Sequence, residues 1–174
     1  MMKIVVMGVC GCGKSSVGSE LAQRMKGVFL DGDDFHSSSN RRKMASGQPL
    51  TDNDRRDWLL TLTEEIRSHD CELQGPLFLA CSALKRSYRI QLRQGCNSLQ
   101  FLYLKGDHRL IAERIRNRSD HFMPPDLLDS QFLSLEEPIN SITVGIEKPI
   151  NDLVNEIIER LSDVSDIENR NKKR

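Results

Sequence analysis

One octapeptide constrains this chain more than any other part of it. Gly8-Val9-Cys10-Gly11-Cys12-Gly13-Lys14-Ser15 fits the pattern G-x-x-x-x-G-K-[ST] at every position. An apolar run, residues 3–7, comes directly before it. Residues 14–25 follow with Val17, Leu21, Ala22 and Met25 on one helical face. A strand, a glycine loop and a helix in that order form a cradle for phosphate. The glycines let the backbone curl until successive N–H groups converge on phosphate oxygens, and the helix N-terminus adds partial positive charge. Lys14 is placed to reach β- and γ-phosphates and Ser15 to offer a hydroxyl to Mg²⁺. Gly8, Val9, Cys10, Gly11, Cys12, Gly13, Lys14, Ser15 and Ser16 are therefore the candidate ATP-binding stretch. Cys10 and Cys12 are small loop residues in this reading. Two thiols cannot close a zinc site, no C-x-x-C exists elsewhere, and C-x-C is the wrong spacing for C-x-x-C redox chemistry.

The rest of the chain alternates short apolar runs with helical patterns, as an α/β domain with a parallel sheet requires. Strands are expected at residues 28–30, 77–81, 99–104 and 142–146, and helices at 54–68, 85–93 and 107–118. A last helix carries Ile150, Leu153, Val154, Ile157, Ile158 and Leu161 on one stripe. Trp58 shares a face with Leu62 and Ile66 and is expected in the core. No repeat or linker divides the chain, so residues 1–164 read as one domain. The polar tail, residues 165–174, has little to bury and is expected to fray. Two polar excursions stand out: a segment of about 33–56 that suits an acceptor, and about 117–125 that suits a lid.

Composition narrows the function. The 174 residues carry 25 Lys+Arg against 25 Asp+Glu, and zero net charge argues against a general nucleic-acid binder while permitting a local cationic pocket. No apolar run approaches the ~18 residues of a membrane span. The apolar start is too short for a signal peptide, so a cytoplasmic protein with five reduced cysteines is expected.

Within the phosphate-loop proteins, a regulatory GTPase needs D-x-x-G and N-K-x-D, and neither occurs. A motor ATPase ends an apolar strand in a carboxylate, whereas the run at residues 77–81 continues into Ser82-Ala83-Leu84. A small kinase remains. Its acids follow the second strand as Asp31-Gly32-Asp33-Asp34, where strand ends face the ligand crevice. Asp31 suits the Mg²⁺ side and Asp33 the acceptor hydroxyl, as base or orienting acid. The plainer reading is an acidic turn capping the next helix, which suits Asp34 best.

Together with the phosphate loop, the segments DGDDFH, NRRKMASGQPLTDNDRRDWL, CSALKRSYR, YLKG and HFMPPDLLDSQFLSLEEP resemble gluconokinases of the P-loop type, from about residue 3 to residue 138. That resemblance implies a P-loop kinase fold with a five-stranded parallel sheet flanked by helices and a mobile lid. It also implies ATP and Mg²⁺ as cofactors, D-gluconate phosphorylated at its 6-hydroxyl, and a homodimer. Gluconate is a polyol with a carboxylate, so Asp33 and His36 suit its hydroxyls. Arg42, with Lys43 second to it, suits the carboxylate. Lys85 and Arg89, one helical turn apart, are expected to share a face toward substrate, with His121 joining from the lid. Arg114 and Arg118 lead into the lid and are expected over the ATP phosphates. Lys14, Asp33 and Arg118 form the expected catalytic set. The chain departs from the family pattern at Cys10 and Cys12, where serines are usual, and at Asp120, where glycine is usual. A kinase for another small hydroxylated acid such as shikimate, or an ATP-binding module without turnover, are the alternatives.

Overall fold

A computed structural model describes residues 2–117 and 125–171. Five strands form one parallel sheet: β1 (Lys3–Met7), β2 (Val28–Asp31), β3 (Leu77–Ala80), β4 (Gln100–Lys105) and β5 (Ile142–Gly145). Their order is β2-β3-β1-β4-β5. β1 therefore lies at the centre, with Val5 beside Leu79 of β3 and Phe101 of β4.

The helices are α1 (Lys14–Arg24), α2 (Ser38–Ala45), α3 (Asp52–Ser68), α4 (Cys71–Gln74), α5 (Arg86–Arg93), α6 (His108–Arg116), α7 (Pro125–Ser134) and α8 (Ile150–Asn171). They cover both sheet faces, which is why the central strands are apolar at successive positions. Ile4, Val6, Phe78, Leu102 and Leu104 pack with Val17, Leu21, Ile111 and the Leu153–Leu161 stripe of α8. Val5, Met7, Leu79, Phe101 and Tyr103 point the other way, onto Trp58, Leu62 and Ile66 of α3 and Leu92 of α5. The period of two along each strand thus divides the core into two layers.

The strands fall where the apolar runs lie; the main differences are at helices. α2 forms inside a segment with no apolar stripe. Its start is set by Ser37, whose Oγ accepts from the Asn40 backbone N–H at 3.2 Å. Asn40 is buried and its Nδ2 donates to Asp54 O at 2.7 Å, which fastens α2 to α3. α3 starts at Asp52 rather than residue 54, because Thr51 and Asp54 close a capping box: Thr51 N–H donates to Asp54 Oδ2 at 2.7 Å, and Asp54 N–H to Thr51 Oγ1 at 3.2 Å. α8 continues to Asn171, through residues expected to fray, since each residue added to an existing helix gains a hydrogen bond without a new nucleation cost.

Candidate active site

The phosphate loop joins β1 to α1. Gly13 caps α1 in the left-handed region (φ 97°) and offers no side-chain cap, so the first N–H groups of the helix face the concavity instead of a capping oxygen. Gly8 (φ 144°) leaves β1 where a Cβ would lie 2.9 Å from Leu104 O, a space open to glycine alone. Lys14 folds back so that Nζ donates to Val9 O at 3.1 Å. Burial acts to lower the Lys14 pKa, but the Cys12 and Cys10 thiols and the Asp33 carboxylate act the other way and leave it raised, so the ammonium keeps its charge. Val9 and Cys12 are buried, and Cys10 and Gly11 are half-buried. Ser15 and Ser16 are exposed on the first turn of α1.

The acid turn approaches the loop from β2. Asp31 uses both carboxylate oxygens: Oδ2 accepts from Ser15 Oγ at 2.6 Å, and Oδ1 from the Asp33 backbone N–H at 3.1 Å. The second bond caps a single 3₁₀ turn, Gly32–Phe35. That turn leaves the Asp33 side chain 81% exposed, with His36 Nε2 at 3.9 Å from its Oδ1. His36 itself is buried and stacks on Trp58, and its Nδ1 has no hydrogen-bond partner among the described residues. Burial holds the His36 pKa below its ordinary value, with Asp33 pulling against it. Trp58 is in the core as expected, and it also donates Nε1–H to Gly32 O at 2.6 Å.

The expected cations separate into free and engaged groups. Arg42 is exposed, and its side chain makes no ion pair or hydrogen bond among the described residues. Its neighbour Arg41 braces the acid turn, donating from Nε to His36 O at 3.1 Å and from Nη2 to Asp34 O at 2.5 Å. Lys43 is paired with Asp54 Oδ2 at 2.6 Å and so helps to fix the start of α3. Lys85 lies 2.7 and 2.8 Å from the two oxygens of Asp52, which also accepts from the Tyr88 hydroxyl.

One expectation is corrected. Lys85 and Arg89 do not share a face toward substrate, because Lys85 is the N-cap of α5 and Arg89 turns inward. The buried Arg89 Nη1 donates to Ala83 O and Leu84 O, both at 2.9 Å. Ala83 holds a positive φ of 45°, and the Arg89 guanidinium secures that unfavourable backbone. Arg114, expected over the ATP phosphates, is also engaged: its Nη2 donates to Ile146 O at 2.5 Å and braces the segment after β5. Periodicity places residues on a face, but a buried carbonyl that needs a donor decides where a long side chain goes. Arg118, Asp120 and His121 lie outside the described residues.

Asp52, Asp54 and Gln131 were not singled out in the sequence. The T-D-x-D spacing held the capping-box signal for Asp54, whereas the Asp52–Lys85 pair spans 33 positions and has no local signature. Gln131 Oε1 accepts from the Cys10 backbone N–H at 2.7 Å, across 121 positions.

This arrangement has counterparts among known proteins. The shikimate kinase family profile matches residues 10–161. The chain is 42% identical to the thermoresistant gluconokinase of Escherichia coli K12, over 89% of this chain and 90% of that one. It is 42% identical to a probable gluconokinase of Mus musculus, over 91% and 96% of the two chains. The crystal structure of a gluconokinase from Sinorhizobium meliloti 1021 superposes with a TM-score of 0.89 at 39% identity, covering 98% of this chain and 97% of that one. Shikimate kinase from Aquifex aeolicus, at 17% identity and a TM-score of 0.62, shares the fold.

Proposed function

The chain belongs to the gluconokinases of the shikimate kinase family, and we propose from that premise that it transfers the γ-phosphoryl group of ATP to the 6-hydroxyl of D-gluconate. The observation that carries this reading is the double role of Asp31. One of its oxygens holds Ser15 at the nucleotide cradle and the other holds the turn that presents Asp33. Donor and acceptor groups are thereby brought to one crevice, at the carboxyl end of β1.

In the mechanism we infer, backbone N–H groups of the loop and the charged Lys14 bind the nucleotide phosphates and neutralise charge that develops on transfer. Asp33, whose side chain is exposed, orients the acceptor hydroxyl and takes its proton. Ser15 Oγ and Asp31 Oδ2 are two hard oxygens 2.6 Å apart, a donor set that fits Mg²⁺ completed by phosphates and water. The ion would supply charge neutralisation on the phosphates when bound. His36 lines the acceptor side. Arg42 has its guanidinium free for the gluconate carboxylate. Lys85 is available because an exposed ion pair such as Lys85–Asp52 is weak enough to exchange for a substrate carboxylate. Arg118 and His121 are proposed for the phosphates and the acceptor on resemblance alone. Lys43, Arg89 and Arg114 hold the scaffold.

We further propose a cytoplasmic homodimer; among the described residues no helix is long and apolar enough to cross a membrane. The deciding experiment is gluconate-dependent ADP release with and without Mg²⁺, set against a panel of other sugar acids and shikimate. Turnover of gluconate alone, lost without Mg²⁺, is expected. Equal turnover of another acceptor would refute the substrate assignment.

A further inference from the structure

Gln131 takes no part in the mechanism above, yet its side chain reaches the phosphate loop. Its Oε1 accepts the Cys10 backbone N–H at 2.7 Å. A backbone N–H only donates, so this bond fixes the polarity of the carboxamide. Oε1 must face the Cys10 N–H, which leaves the Nε2 amine, with two donors, turned from that bond and available to a ligand beside the loop. Nε2 has no partner among the described residues, although the side chain is half-buried.

Lys14 identifies which end of the cradle this is. Its ammonium, the group that serves the terminal phosphates, donates to Val9 O, and Val9 is the chain neighbour of Cys10. Gln131 therefore stands at the terminal-phosphate end. The helix that carries it is seated by Leu128, buried in the core, with Phe132 packed against the same cluster. Asp129 Oδ1 of α7 lies 2.5 Å from His108 Nε2 of α6. Just beyond α7, Glu136 Oε2 accepts from the Arg86 backbone N–H at 2.6 Å, and Glu137 pairs with Lys105 at 2.8 Å. A side chain on a helix seated in the core and bonded at its own tip to the Cys10 N–H is held in place before any ligand arrives.

We propose that Gln131 is a γ-phosphate-binding residue: Cys10 orients its carboxamide so that Nε2 donates to an oxygen of the group to be transferred. The proposal rests on the ATP-dependent reading above and adds to it a contact that ATP makes and ADP cannot.

The test is calorimetric binding of ATP and of ADP, each with Mg²⁺ and without gluconate, to the wild type, Gln131→Leu and Gln131→Glu. Loss of a charge-assisted hydrogen bond is expected to weaken ATP about tenfold in Gln131→Leu, with ADP changed by less than about twofold. Gln131→Glu keeps an oxygen for the Cys10 N–H but sets an anion against the γ-phosphate, and should weaken ATP about a hundredfold. Because the ATP-to-ADP ratio is taken within each variant, a partly unfolded sample leaves it unchanged. Equal weakening of both nucleotides, or of neither, overturns the assignment. Gluconate is absent, so a failure of the acceptor reading leaves the result standing, whereas a wild type that binds neither nucleotide overturns both.

Discussion

The His36 imidazole lies on the Trp58 indole with ring centroids 4.3 Å apart and planes 15° from parallel. The same indole donates to Gly32 O. One side chain of α3 therefore holds the acid turn at its beginning and just past its end, and the position of Asp33 depends on a residue 25 positions away in the chain.

Trp58→Phe should separate these two supports. Phenylalanine keeps an aromatic face for His36 but leaves Gly32 O without its donor. A loss of about 2 kcal/mol is expected in urea denaturation. KM for gluconate should rise more than KM for ATP, because in the proposed mechanism the turn serves the acceptor. Equal changes in the two constants would contradict that division.

The buried histidine makes stability depend on pH. Burial lowers its folded-state pKa, Asp33 opposes this, and Arg55 and Arg41 reinforce it. The unfolded chain titrates near the ordinary ~6.5. Between that value and the lower folded one, the unfolded state binds more protons. The stabilisation is thus complete above the unfolded pKa and is lost as pH falls toward the folded pKa. Melting curves from pH 8 to 5 should decline more gently for His36→Phe than for the wild type, and superimposable profiles would absolve His36.

Asp33→Asn is expected to lower kcat by about 10²–10⁴. With its side chain 81% exposed and the His36 Nε2 3.9 Å away, the carboxylate does little for the fold. The variant should melt with the wild type and still bind ATP. Near-wild-type kcat in gluconate-dependent ADP release would remove Asp33 from the chemistry.

The thiols offer a chemical check on the loop. Cys12 and Cys81 are buried, and burial raises both pKa values, Cys81 to about 12. A thiol reagent at pH 8 should modify at most Cys10, Cys71 and Cys96 in the native protein, and all five only after unfolding. Saturating ATP should slow the reaction at Cys10. Early labelling of Cys12, read by mass spectrometry, would show that the loop opens.

Strands, phosphate loop and acid turn were legible because each has a local signature: an apolar run, a glycine pattern, carboxylates at a strand end. Cation roles were not. Arg42 and Arg89 are both basic residues on polar helices, yet one is exposed and the other is buried on two carbonyls. The difference lies in where the loop at Ala83 leaves oxygens without donors, a property of the assembled backbone. Lys43 and Lys85 are drawn instead to the carboxylates of Asp54 and Asp52, which the fold, not local sequence, places beside them. Gln131 could not have been found from sequence, because its partner is a main-chain N–H with no residue identity of its own.

Asp31 links two inventories that an evolving enzyme would otherwise alter separately. Any replacement that shifted the acid turn to admit a longer or shorter acceptor would also release the Ser15 hydroxyl and disturb the nucleotide side. In the proposed mechanism, a lineage changing its acceptor would leave this carboxylate alone and work from α2 and the start of α3, where Arg42 and Asp52 make no contact with the phosphate loop among the described residues. On that mechanism, acceptor preference would be modular only downstream of the turn.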